Sequence, residues 1–209
     1  MTSIISGIIS VEKNGSTAFA VYGYMNRGAH EGEVGVDIYY YDIEKNVVQE
    51  KAFIPSTKSF AIAEEELGKM VYYNQDQNLL YILAGGKFYK IDLTKDEQTV
   101  LAKNLEEGQY TVSADGHLIA YQTSGTINTA QEIKVLNLKT DEENAVAAKS
   151  GEAIRPLGFI GSDFVYGYLR QEDVGHTAAG GELFPMYELE IRNSLPSCIM
   201  QRWYPAAIT

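Results

Sequence analysis

The sequence predicts an all-β chain of β-propeller type, built from about four four-stranded antiparallel meanders. Three observations carry this. One strand-plus-turn pattern recurs four times at intervals of roughly 45 to 53 residues, the length of a propeller blade. Each recurrence follows a tight polar turn that feeds an apolar strand. Tyrosine dominates the aromatics, with 15 Tyr against 7 Phe and 1 Trp. Tyrosine suits a half-buried strand whose ring packs while its hydroxyl stays wet.

The recurring pattern is alternating apolar residues, a polar anchor, an aliphatic residue and a polar turn. It appears at residues 37–43 (DIYYYDI), 87–93 (KFYKIDL), 132–138 (EIKVLNL) and 186–191 (MYELEI), with anchors Asp42, Asp92, Asn137 and Glu190. The turn-and-strand series before it runs through Asn14-Gly15 into residues 18–22 and through residues 74–78 into 79–83. It continues through Asp115-Gly116 into residues 118–121 and through residues 161–163 into 164–168. Asn-Gly and Asp-Gly are hairpin dipeptides, because a tight primed turn needs positive φ at its centre. Further apolar stretches before and after complete units of strand, turn, strand, loop, strand, turn, strand. The expected blades span residues 4–54, 70–103, 110–149 and 153–204, within one complete or partial propeller domain over 1–209. Such a meander cannot bury both of its faces alone, so neighbours must stack.

Two segments stand apart. Residues 59–69 (SFAIAEEELGK) carry helix formers and Gly68 as a C-cap, which predicts a short helix near 60–68. Residues 192–209 hold the sole Trp and Cys and read as a last strand or a tail. With one cysteine, Cys198, no intrachain disulfide forms.

The formal charge is −11, from 28 acidic and 17 basic residues. A chain this acidic, without a basic stripe, is not expected to bind nucleic acid or anionic membrane surfaces. No stretch approaches the roughly 18 apolar residues needed to cross a bilayer. Residues 1–11 lack the basic start and cleavage site of a signal peptide.

The sequence carries no recognisable catalytic set. Phosphate-loop and nucleophile-elbow motifs are missing, and Asp115-Gly116 lacks the spacing of a calcium loop. Of three histidines, His117 sits in a hairpin turn, while His30 and His176 sit in long Gly-rich loops of the first and fourth units. With Glu31, Glu33, Asp173 and Glu182 these two could hold a metal only if the ligands converged on one ion. No metal or cofactor is expected, and the chain is expected not to be an enzyme.

The first and fourth units share a Tyr-Gly-Tyr strand: Val21-Tyr22-Gly23-Tyr24 matches Val165-Tyr166-Gly167-Tyr168. A glycine inside a strand marks a bulge or a close backbone approach. Loops as long as those that follow are uncommon without a role. The candidate binding surface is therefore Tyr22, Tyr24, Arg27, His30, Tyr166, Tyr168 and His176.

The third unit resembles the repeats of TolB-like and related WD40-like propellers. It has their Ser-x-Asp-Gly turn at Ser113-Ala114-Asp115-Gly116, and their aliphatic-Ala-aromatic strand at Ile119-Ala120-Tyr121. Asn137 stands where those repeats usually have Asp. The resemblance is partial in the first two units and weak in the fourth. It implies a ring of six to eight blades in a complete protein. The chain is then expected to be a fragment of a longer bacterial surface or envelope propeller, or one whose ring is completed by another copy. Its location would be extracytoplasmic if the parent carries an export signal, and cytoplasmic otherwise. The function so implied is a non-enzymatic binding or scaffold module for a protein or small ligand. The alternative is a propeller domain associated with a glycoside or peptide hydrolase.

Overall fold

The computed structural model describes residues 5–56, 70–177, 179–193 and 199–202, of which 5, 6 and 199–202 by backbone alone. It is all-β, with four four-stranded antiparallel meanders of the blade kind. The first holds β1 (Ile5–Val11), β2 (Thr17–Tyr24), β3 (Val34–Asp42) and β4 (Val47–Pro55). The second holds β5 (Val71–Asn74), β6 (Leu79–Ala84), β7 (Lys87–Asp92) and β8 (Glu97–Ala102). The third runs β9 (Tyr110–Val112), β10 (Leu118–Gln122), β11 (Glu132–Asn137) and β12 (Glu142–Ala147). The fourth pairs β13 (Glu152–Ile160), β14 (Asp163–Arg170), β17 (Met186–Arg192) and β18 (Ile199–Arg202) in that order, with a small β15–β16 hairpin (Gly175–His176 with Glu182–Leu183) looped out between β14 and β17. The helix expected near 60–68 and most of the C-terminal stretch lie outside the described residues. Among the described residues no helix is long and apolar enough to cross a membrane.

Side-chain chemistry explains the repeat anchors. Asp42 Oδ1 accepts the backbone N–H groups of Glu44 and Lys45, both at 3.1 Å. Asp92 Oδ1 accepts those of Thr94 and Lys95, both at 3.0 Å. Asn137 Oδ1 accepts those of Lys139 and Thr140 at 3.0 and 3.2 Å. Each anchor thus closes the hairpin between the third and fourth strands of its sheet as an Asx turn. In each of these turns an Asn or Asp takes the left-handed conformation: Asn46, Asp96 and Asp141 have φ of 52°, 55° and 62°. Short polar side chains tolerate that region best among non-glycine residues. The fourth anchor, Glu190, is a correction. It lies inside β17, opposite Tyr166 on β14, and accepts that residue's hydroxyl. A buried tertiary pairing, not turn chemistry, places it there.

The chain divides into two compact units, Met1–Leu101 and Ala102–Thr209. In the first, Ala20, Tyr22, Val36, Ile38 and Ile54 of one sheet meet Leu80, Ile82, Ala84, Tyr89, Ile91 and Leu93 of the other. In the second, Ala120, Ile133 and Val146 meet Ile154, Phe164, Tyr166 and Tyr168. Each core is two meanders hiding one another's apolar face.

A buried amide pair adds to the second core. Gln109 Nε2 donates to Gln122 Oε1 at 3.0 Å and to Gly125 O at 3.3 Å, and Gln109 Oε1 accepts the Glu106 N–H at 3.1 Å. Gln122 Nε2 donates to Ile127 O at 3.0 Å and to Ile154 O at 2.8 Å, tying the third sheet to β13 of the fourth. The network is fully satisfied, so it stabilises the fold without asking for a ligand.

The tyrosine rings pack as the composition suggests, but these hydroxyls bond to protein side chains where wet groups were expected. Tyr39, Tyr40, Tyr121 and Tyr166 donate to Asp37, Glu12, Glu143 and Glu190, and Tyr41 and Tyr73 to the amides of Asn46 and Asn78.

Candidate functional site

Within the first unit, strand parity builds one polar cluster. Along β3, Val36 and Ile38 turn into the core, so Gly35, Asp37 and Tyr39 turn to the opposite face, with Phe19 and Val21 of β2 beside them. On β4, Phe53 pairs with Asp37. Glu50 lies three residues away and would face the core side in a regular strand. A bulge between Ile38 and Tyr39 skips Lys51, so that Glu50 pairs with Tyr39 and joins Phe53 on the outer face. The skipped Lys51 donates from Nζ to Leu93 O of the second sheet at 3.0 Å.

The β2–β3 loop closes over this face. Met25 N–H donates to Glu33 O and Gly32 N–H to Met25 O, both at 2.8 Å. The imidazole of His30 lies flat on the Phe53 ring, with centroids 4.0 Å apart and planes within 13°. Its Nε2 is 3.1 Å from Glu50 Oε1 and its Nδ1 is 3.6 Å from Glu33 Oε1. Gly35 makes room beneath: a Cβ there would stand 2.4 Å from Ile54 O and 2.6 Å from Phe53 Cζ. The side chains of His30, Glu33 and Glu50 remain 31%, 51% and 37% exposed.

Asp37 is the unusual member. It is only 3% exposed, it accepts the Tyr39 hydroxyl through Oδ2, and its Oδ1 is buried without a hydrogen-bond partner. Burial raises its carboxyl above the ordinary range. The Tyr39 hydroxyl opposes that rise, Glu50 adds to it and His30 opposes it. The same burial, with the Asp37 carboxyl alongside, pushes the Tyr39 phenol far up. A buried carboxyl with an unsatisfied oxygen is costly to keep in a core, and such groups mark functional positions.

Of the residues singled out from sequence, His30 is in this cluster. Arg27 is exposed on the same loop, and Tyr24 is 48% exposed at the end of β2. Tyr22 and Tyr166 are core residues at 2% exposure and Tyr168 is buried at 8%, so their rings pack inward and are not part of an exposed surface. Packing against the neighbouring sheet decides this, and the Tyr-Gly-Tyr motif does not state which face is inward. His176 is exposed on the β15–β16 hairpin, opposite Glu182. Asp37, Glu50 and Phe53 escape a sequence reading, since only the bulge puts them on one face. Among the described residues no group of three His, Cys, Asp or Glu side chains is placed to hold a metal ion.

The second unit has its own polar features. Arg170 lies 3.8 Å from the centroid of the Tyr187 ring, and its Nε is 3.6 Å from Glu152 Oε1. The Tyr187 hydroxyl and Glu152 Oε2 are buried and do not reach hydrogen-bond geometry. Burial, and then the nearby Glu152 carboxyl, hold the Tyr187 phenol in its protonated form. Between the third and fourth sheets runs a groove of about 130 Å³ bordered by Leu118, Val135, Val146, Phe164 and Arg192.

No family model matches the sequence, and no curated protein matches it. Among solved structures, the chain is similar to a tricorn protease (13% identity, TM-score 0.39, 87% of this chain on 17% of that one). It is also similar to the β-propeller domain of a trilobed protease from Pyrococcus furiosus (10% identity, TM-score 0.38, 97% on 58%). A third is TolB from Acinetobacter baumannii (14% identity, TM-score 0.30, 96% on 57%). The chain thus spans less than two thirds of each. At these TM-scores the fold description rests on the strand order given above.

Proposed function

We propose that the chain is a non-enzymatic binding module of propeller type, and that the β2–β3 loop with the outer face of the first sheet is its recognition surface. The observation that carries this reading is Asp37. Folding leaves its carboxyl buried with one oxygen unpaired, beside an exposed set of His30, Glu33 and Glu50. A buried, unpaired carboxyl oxygen calls for an explanation, and a binding role supplies one. The set is acidic and aromatic, which suits a positively charged partner. The likeness of the third meander to TolB-like repeats is what points to a bacterial envelope parent.

The test is partner capture from cells of the source organism by the wild-type chain and by a Glu33→Lys/Glu50→Lys variant. Both positions are exposed, so the variant should fold, which its circular dichroism checks. Partners held by the wild type and lost by the variant support the reading. An unchanged partner set overturns it. Hydrolysis of glycosidic or peptide substrates by the purified chain would instead favour a hydrolase role.

A further inference from the structure

We propose that the slot between Phe53, Glu33 and Glu50 is a site for a guanidinium group, carried by an arginine side chain of a partner polypeptide, and that His30 is its resident surrogate. This rests on the binding-module reading above and names the ligand class of that same site.

His30 shows what the slot accepts. A flat group lies parallel to the Phe53 ring at 4.0 Å, and its two in-plane nitrogens each meet a carboxylate, Glu50 at 3.1 Å and Glu33 at 3.6 Å. That is the recognition pattern of a guanidinium: planar, stacking on aromatic faces, with N–H donors fanned in its plane toward carboxylates. An imidazole fills it incompletely. Only its charged form donates from both nitrogens, whereas a guanidinium presents five donors and is always charged. A lysine ammonium reaches a carboxylate but cannot stack as a plate.

The surroundings favour the same ligand. Asp37, directly across from Phe53, supplies a third carboxyl whose Oδ1 lacks a partner, within the electrostatic reach of both His30 and Glu50. Glu31 is exposed on the same loop, and the chain carries a net charge of −11, which steers a basic partner inward. Free arginine brings its own carboxylate into this field. An arginine within a polypeptide does not, so the polypeptide is the assigned source.

The experiment titrates N-acetyl-L-arginine amide, N-acetyl-L-lysine amide and free L-arginine into the full chain, followed by the nuclear magnetic resonance signals of the Phe53 ring, and of the His30 ring where it is present. Capped arginine should shift these signals and bind about 5-fold more tightly than capped lysine, the margin set by stacking and in-plane pairing. Glu50→Gln should weaken it about 5- to 10-fold through loss of a charge-assisted pair. Glu33→Gln gives a second reading should Glu50→Gln fold poorly. His30→Ala should strengthen binding by about 3-fold or more, because it removes the internal competitor. Equal binding of arginine and lysine, indifference to both glutamate changes, or weaker binding by His30→Ala each overturns the proposal. Tighter binding of free L-arginine than of the capped form overturns the polypeptide source. If partner capture still depends on Glu33 and Glu50 while no arginine derivative binds, this inference falls and the binding-module reading stands.

Discussion

Tyr39 donates its hydroxyl to the carboxyl of Asp37, two residues back on the same strand, at 2.5 Å. The bond satisfies one carboxyl oxygen and leaves the other buried without a partner. Asp37→Asn should therefore stabilise the protein at a pH where the carboxyl is ionised, since an amide keeps the acceptor for Tyr39 and a buried unpaired amide N–H costs less than a buried unpaired charge. Burial raises the Asp37 carboxyl in the folded state above its ordinary 3.8. Its ionisation then works against folding, with no penalty below the unfolded value and a full one above the raised folded value. The advantage of the variant should be absent near pH 3 and grow as pH rises, which denaturant unfolding across that range measures.

The turn anchors have the opposite sign. Hydrogen bonding to Lys95 holds Asp92 below its usual range, and Lys45 does the same for Asp42. Their contribution is present above the unfolded value of 3.8 and is lost as pH falls through the lower folded value. Asp42→Asn/Asp92→Asn keeps both Asx turns, as Asn137 already does in the third sheet. The variant should lose less stability than the wild type on acidification. Equal acid sensitivity of the two proteins would count against the pairing with Lys45 and Lys95.

The Gln109–Gln122 pair gives a third expectation. Gln122 is 2% exposed and spans two sheets. Gln122→Leu leaves Ile127 O, Ile154 O and Gln109 Nε2 short of a partner, at a cost of about 2 to 4 kcal/mol. Urea unfolding reads this directly.

Gly35→Ala tests the floor of the slot. Its Cβ would collide with the Ile54 carbonyl, which is backbone and cannot move aside cheaply. A loss of about 2 to 3 kcal/mol is expected, together with displacement of the Phe53 and His30 rings in the magnetic resonance spectrum.

Much of this architecture is legible in the sequence because it is written in local chemistry. Asp42, Asp92 and Asn137 announce their turns, since a short acceptor two and three residues before free N–H groups closes an Asx turn wherever it stands. Ser113, Asp115 and Gly116 do likewise: Ser113 Oγ donates to Asp115 Oδ1 at 2.6 Å and accepts the Leu118 N–H at 2.9 Å. Glu190 imitates that pattern but answers to Tyr166 across the sheet. The site is less legible. His30 shows itself as a loop histidine, yet Glu50 and Phe53 share a face only through the bulge at Lys51. Nor does alternation alone tell which face of Tyr22 or Tyr166 turns inward.

On the proposed reading, Asp37 is kept for binding at the expense of stability. Its most direct test is one paired measurement on Asp37→Asn at pH 8: stability by denaturant unfolding and affinity for N-acetyl-L-arginine amide. A more stable protein that binds more weakly is expected. A variant that is less stable than the wild type, or that binds with unchanged affinity, would contradict it.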